Sequence, residues 1–319
     1  MKEPRLAVVL GPCDEMRAEV FFRLALPGAA SPAQVAGTLV GPHCRLAVTL
    51  PATARVVDRG PAPTTVPAGD RSEAVGRAVV TEPAYWTPDL PMLYRLDLEV
   101  VTAGPPLHLR KEGIGLRRFG ARRRSLWLDG RRWVPRGVCC GPTECDVPAV
   151  RAAAATAVLR EPDEVLLAAA DAAGVAVIAL LDAVDDTAAD RIAAWSVHPA
   201  VMLAVVPAAA TAAQVAALTA AVRRVKGTLL VAWQVSGTAP PPTLPTAIDC
   251  LAVTLAAGGL PHAGWRDPPP VPVLAWRQAN LPFTDRRRAC DALQADLAGW
   301  GLAAGGDRLP WEWAGFIAG

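Results

Sequence analysis

The chain has 319 residues, with 32 Lys and Arg against 30 Asp and Glu, a formal charge of +2. Its length suggests about two domains, and 52% apolar with 19% charged residues supplies a core and argues against a disordered chain. The near-neutral balance argues against a nucleic-acid or membrane-surface binder, and no apolar run reaches the roughly 20 residues of a transmembrane helix. The opening MKEPRLAVVLGPCDE holds too short an apolar stretch for a secretory signal. Seven cysteines, two of them adjacent at Cys139-Cys140, are a poor layout for a disulfide framework. A cytoplasmic location is the expectation.

The first 137 or so residues read as short strands bounded by Pro and Gly: 5–11, 18–26, 35–41, 44–50 and 93–101. In the last of these Leu96, Leu98 and Val100 alternate with Asp97 and Glu99, the period of a strand with one wet face. In 125–135 the dipeptide Asp129-Gly130 separates two apolar-rich arms, and Asp-Gly supplies the positive φ angles of a type I′ hairpin turn. Short strands at this spacing predict a sandwich. After about residue 145, near-continuous apolar strands alternate with helices. The stretch 162–173 has Pro at its start and Gly174 just past its end, as helix punctuation requires. Strands are expected near 156–161, 175–182, 200–206, 228–233, 248–255 and 271–276, with a helix over 285–298 and a last strand near PWEWAGF. That grammar predicts a parallel sheet buried on both faces. Eight strands in this length give a compact (β/α)8 TIM-like barrel, with no room for a full crossover helix around Pro240–Thr246. The expected domains are an immunoglobulin-like β-sandwich over 1–120 and a reduced barrel over 121–319.

Several segments resemble family 2 glycoside hydrolases, the β-galactosidase and β-glucuronidase group. EPAYWTPDLPMLYRLDLEV (Glu82 to Val100) is similar to that family's W-P-x-x-P-x-L-Y strand. GIGLRRFGARRRSLWLDGRRWVPRGV (Gly113 to Val138) is similar to its G-x-R strand followed by L-N-G and the first barrel strand. EPDEVLLAAADAAGVAVIALLD resembles the helix ending in D-x-x-G before the third barrel strand, and HPAVML (His198 to Leu203) the H-P-S-V opening of the fourth. The resemblance covers residues 75–210 well and the last hundred loosely. It leaves no room for the family's separate N-terminal jelly-roll domain.

The resemblance implies an acid/base glutamate after the fourth barrel strand and a nucleophilic glutamate after the seventh. Retaining glycosidases need those two carboxylates about 5–5.5 Å apart. Here the first position falls near Pro207 to Ala209, and Trp276 or Arg277 occupies the second. The leading expectation is a pseudoenzyme kept as a carbohydrate-binding or scaffolding module. One alternative is an active hydrolase with relocated acids, Asp182 at the end of the third strand and Glu312 beside the eighth. Trp233, Trp276, Trp311 and Trp313, on or after expected strand ends, suit either a sugar cleft or an aromatic plug. A second alternative is a protein-interaction scaffold using the basic hairpin 110–136, which carries ten Lys or Arg against Glu112 and Asp129. Cys139, Cys140 and Cys145 with His43 or His198 match no zinc spacing, so neither metal nor cofactor is expected. No dinucleotide, phosphate-loop or G-x-S-x-G motif is present.

Overall fold

The computed structural model describes residues 5–27, 34–59, 71–102, 105–141, 145–223, 225, 227–303 and 312–319. Seven strands form the first body: β1 (Arg5–Cys13), β2 (Arg17–Pro27), β3 (Gln34–His43), β4 (Ala52–Asp58), β5 (Arg71–Thr81), β6 (Leu93–Val101) and β7 (Leu107–Ile114). They pair antiparallel in the order β1-β2-β5-β4-β3-β6-β7 around a core of Val20, Phe22, Leu24, Leu39, Leu96 and Leu98. β4 meets β5 at only three paired positions, and there the sheet turns over its own core into a sandwich. Gly76 sits at that turn, where a Cβ would come within 2.7 Å of the Val56 side chain. In β6 the alternation read from sequence holds, with Tyr94, Leu96, Leu98 and Val100 buried.

The stretch 44–50 does not form a strand. Residues 44–51 run as irregular chain after β3, and Leu46, Val48 and Leu50 alternate outward, Val48 being 99% exposed. The alternation is genuine, but no neighbouring strand offers it a ladder or a core.

Three short strands follow: β8 (Phe119–Arg122), β9 (Ser125–Leu128) and β10 (Arg131–Trp133). They make their own sheet, with Asp129 and Gly130 at φ 49° and 76° between paired Leu128 and Arg131, the two-residue hairpin expected.

The remaining elements are β11 (Arg136–Cys140), α1 (Val147–Ala152), β12 (Thr156–Arg160), α2 (Glu164–Ala173), β13 (Val177–Leu180), α3 (Ala188–Ser196) and β14 (Val201–Val206). They continue through α4 (Ala212–Val222), β15 (Leu230–Ser236), β16 (Cys250–Leu255), β17 (Val273–Arg277), α5 (Phe283–Leu302) and β18 (Gly315–Ala318). β11 to β18 close an eight-stranded parallel barrel. Economy shows in the crossovers. α1 has six residues, no helix joins β15 to β16, and β16 reaches β17 through a single 3₁₀ turn at Ala263–Arg266.

The sandwich docks beside the N-terminal end of β14. Trp86, fully buried, donates its indole N–H to the Asp171 carbonyl at 3.0 Å. Arg117 lies 3% exposed and donates to the carbonyls of Pro199 and Val201 and, at 3.1 Å, to Thr228 Oγ1. The C-terminal mouth of the barrel, where such folds build their sites, faces away from this joint.

Candidate functional site

Strand parity fixes which side chains line the barrel. Arg136 stacks on Phe316 and ion-pairs with Asp291 of α5, so these register partners face the helix layer. Their neighbours Gly137 and Ile317 therefore face the interior. The ladders carry the same parity to Trp276, paired with Ile317, and to Thr254, Gln234 and Ser236. On the opposite wall, Arg160 is the inward residue ending β12.

The mouth is polar on the β12–β13 side. Arg160 pairs with Asp182 at 2.7 Å, and both are more than half exposed. Glu161 accepts the Asp182 backbone N–H at 2.9 Å and an Arg191 guanidinium contact at 2.9 Å, while Arg191 also holds Asp185 at 3.0 Å. The Thr187 hydroxyl and Arg191 keep the Asp185 carboxyl below the usual range. Glu161 escaped the sequence reading because it follows an irregular strand end at φ 42°. The signal available was only its place one residue past β12.

On the β17–β18 side the mouth is apolar. The Trp276 indole donates to the Gly319 carbonyl at 3.1 Å and lies against the Cys139 thiol. β14 ends at Val206 and continues as Pro207-Ala208-Ala209-Ala210 before Thr211 caps α4, while β17 ends at Arg277 and Gln278 follows. Arg277 faces outward and pairs with Asp296 of α5 at 2.5 Å.

The structure separates the two acids expected to form a pair. Asp182 follows β13 at the C-terminal mouth, whereas Glu312 precedes β18 at the N-terminal end and pairs there with Arg132 of β10. The cause is simple. The eighth strand begins at Gly315, so Glu312 and Trp313 lie ahead of its start and not after its end. The tryptophans also disperse. Trp276 lines the mouth. Trp313 is buried ahead of β18, at the other end. Trp233 shares the outward parity of Val235, Val253 and Ala275, and its indole nitrogen is buried without a partner. Trp311 lies outside the described residues.

Much of the basic hairpin is engaged within the fold. Arg118 pairs with Asp129, Arg110 with Glu112 and Lys111 with Glu164, Arg122 stacks on Trp127, and Arg124 donates to the Pro268 and Pro269 carbonyls. Among the described residues, no three His, Cys, Asp or Glu side chains converge as metal ligands, and no helix is long and apolar enough to cross a membrane.

A second concave region lies at the joint. A cleft of about 380 Å³ is bordered by His43, Arg45, Tyr94 and Lys111 of the sandwich and by Asp171 and His198 of the barrel. Asp171 bonds His198 Nδ1 at 2.7 Å and accepts the Ala200 N–H at 2.8 Å. Burial raises its carboxyl above the usual range against the pull of those two bonds.

An antiparallel sandwich followed by a closed parallel barrel is a fold this chain shares with part of solved family 2 glycosyl hydrolase structures. A family 2 glycosyl hydrolase from Bacteroides cellulosilyticus superposes with a TM-score of 0.63 at 15% identity, covering 98% of this chain and 45% of that one. The β-D-glucuronidase of Dictyoglomus thermophilum gives 0.61 at 13% identity, over 98% and 61% of the two chains. The β-glucuronidase of Parabacteroides merdae gives 0.57 at 13%, over 92% and 38%. The likeness shows the fold, and this chain spans less than two thirds of each of those proteins. No protein-family model and no curated protein matches the sequence.

Proposed function

We propose that this chain is a non-hydrolytic version of the family 2 sandwich-plus-barrel, kept as a carbohydrate-binding or scaffolding module. One observation carries the reading. The positions that the resemblance assigns to the two glutamates, after β14 and at the end of β17, hold Pro207-Ala208-Ala209 and Trp276-Arg277. Losing one carboxylate leaves half a mechanism; losing both removes the covalent intermediate and the proton relay together. The acids present at the mouth, Glu161, Asp182 and Asp185, are engaged with Arg160 and Arg191. Scaffolding is favoured over sugar stacking, because Trp276 alone of the described tryptophans singled out lines the mouth and, at 7% exposed, it presents little ring face to a ligand.

The test is hydrolysis of activated aryl galactoside, glucuronide, mannoside and glucoside at high protein concentration. Good leaving groups need little acid assistance, so the assay favours finding residual activity. The expected result is no turnover above buffer. Turnover that disappears in Asp182→Asn or Glu161→Gln would overturn the proposal. For the carbohydrate arm, a sugar bound at the mouth should be lost in Trp276→Ala.

A further inference from the structure

His198 borders the joint cleft with one ring nitrogen uncommitted. It stands ahead of β14, 6% exposed, and its Nδ1 lies 2.7 Å from Asp171 Oδ2. The other oxygen of Asp171 accepts the Ala200 N–H at 2.8 Å, so the carboxyl is held at both ends and fixes the imidazole in place. Nε2 has no partner among the described residues. The cleft wall beside it is apolar, with Pro91, Leu93 and Tyr94 from the sandwich and Ala168 and Ala172 from α2. The Tyr94 hydroxyl is engaged by the Ala84 backbone. At the rim Glu112 pairs with Arg110, and Lys111 with Glu164. Arg45 is left over. It lies exposed two residues past β3, on the irregular chain that leaves the sandwich, and pairs with no carboxylate among the described residues.

We propose that the joint cleft binds a small organic anion that also carries a hydroxyl group, Arg45 taking the charge and His198 Nε2 accepting a hydrogen bond from the hydroxyl. The chemistry follows from what each group lacks. A carboxylate or a phosphate monoester offers the oxygens that a guanidinium fork binds through parallel N–H donors. The tautomer at His198 comes from the bonding pattern. An ionised Asp171 can only accept, so Nδ1 carries the proton and Nε2 of the neutral ring is an acceptor. A buried acceptor without a donor is the group that a ligand hydroxyl satisfies.

A volume of about 380 Å³ is that of a small-molecule site, and such sites combine apolar walls with a few placed polar groups where two domains meet. A neighbouring groove of about 530 Å³ shares Lys111 and His198 with the cleft. There Arg110, Lys111, Glu164 and Asp190 are all engaged in interactions of their own, so it offers an anion no spare cation. The cleft lies at the N-terminal end of the barrel, between α2 and the start of β14, and its occupant does not depend on whether the mouth hydrolyses glycosides.

The test titrates the full chain with meta- and para-hydroxybenzoate and follows the imidazole nitrogens of its 4 histidines by two-dimensional NMR. His43, His108 and His262 are exposed, so Gln variants assign their signals and leave that of His198 by elimination. The expected result is a saturable movement of His198 Nε2 and none at His262, which lies between β16 and β17. Benzoate, without the hydroxyl, should bind about fivefold more weakly. Para-hydroxybenzamide, without the charge, should bind about tenfold more weakly. Arg45→Glu should weaken hydroxybenzoate binding about tenfold and leave the thermal midpoint unchanged, since Arg45 has no ion pair to lose. Para-hydroxyphenyl phosphate exchanges the carboxylate for a phosphate, and the tighter of the two names the anion the site takes. A His198 signal that neither anion moves overturns the proposal. So does benzoate or para-hydroxybenzamide binding as tightly as the hydroxybenzoates, or undiminished binding to Arg45→Glu.

Discussion

Arg117 carries a charge into a place that water does not reach. Burial lowers its guanidinium to about 10, so it remains protonated at neutral pH. Its donors satisfy the Pro199 and Val201 carbonyls and the Thr228 hydroxyl, and Asp171 supplies a nearby negative charge. Replacing it with Met removes the charge but strands two buried carbonyls and leaves the Asp171–His198 pair without its counter-ion. Breaking one side of a buried ionic cluster costs about 3–5 kcal/mol. Arg117→Met should therefore lower unfolding stability by about 3 kcal/mol, read from urea denaturation. Arg117→Lys should recover little of it, because a single ammonium cannot reproduce the planar fork that reaches three acceptors. A lysine variant as stable as the parent would mean that charge alone, and not the fork, holds the joint. The sequence placed this residue inside a G-x-R resemblance but could not reveal its depth. Its acceptors lie more than 80 positions away, and two of the three are backbone carbonyls, which leave no mark in composition.

At the scale of elements, two glycines with nearly the same dihedral separate local strain from packing. Gly130 ends the β9–β10 turn at φ 76°, and an added Cβ there would meet nothing within 4 Å. Gly174 caps α2 at φ 70°, where a Cβ would collide with the Pro88 carbonyl of the sandwich and come within 2.6 Å of Arg151. Either alanine costs about 1–2 kcal/mol for left-handed backbone. Gly174→Ala must in addition move the Pro88 backbone, so its loss of thermal stability should be at least twice that of Gly130→Ala. Equal losses would show that the Pro88 segment yields freely. Both glycines were legible as punctuation, because Asp-Gly and a helix followed by Gly are local signals. Barrel strands were legible for a related reason: burial on both faces writes an unbroken apolar run such as VMLAVV in β14. The stretch 44–50 misled because alternation reports a preference for extended chain, while a strand also needs a partner. Glu312 misled because a rim residue's face depends on where its strand starts. A shift of a few residues carries it from one end of the barrel to the other.

For the whole molecule, surface ion pairs set the response to acid. Hydrogen bonds from Arg77 to Glu19, Lys111 to Glu164, Thr187 to Asp185 and Arg287 to Asp291 hold these four carboxyls below their ordinary values. A carboxyl with a lower value in the folded state than in the unfolded one contributes stability above its unfolded value. That contribution is lost as pH falls, beginning near 4.5 for the glutamates and 3.8 for the aspartates and continuing below. Asp171 works in the opposite sense, since burial raises its carboxyl and makes the folded state the readier proton acceptor. Four groups against one predict a urea midpoint that declines as pH is lowered from about 6 to about 3. Asp291→Asn isolates one of the four, because Asp291 of α5 pairs with Arg287 on the same helix and joins that helix to β11 through Arg136. The variant should be less stable than the parent at neutral pH. The difference should close as the parent's own Asp291 becomes protonated in both states. A gap of constant size down to about pH 3 would assign Asp291 to packing against the helix layer and remove it from the electrostatic account.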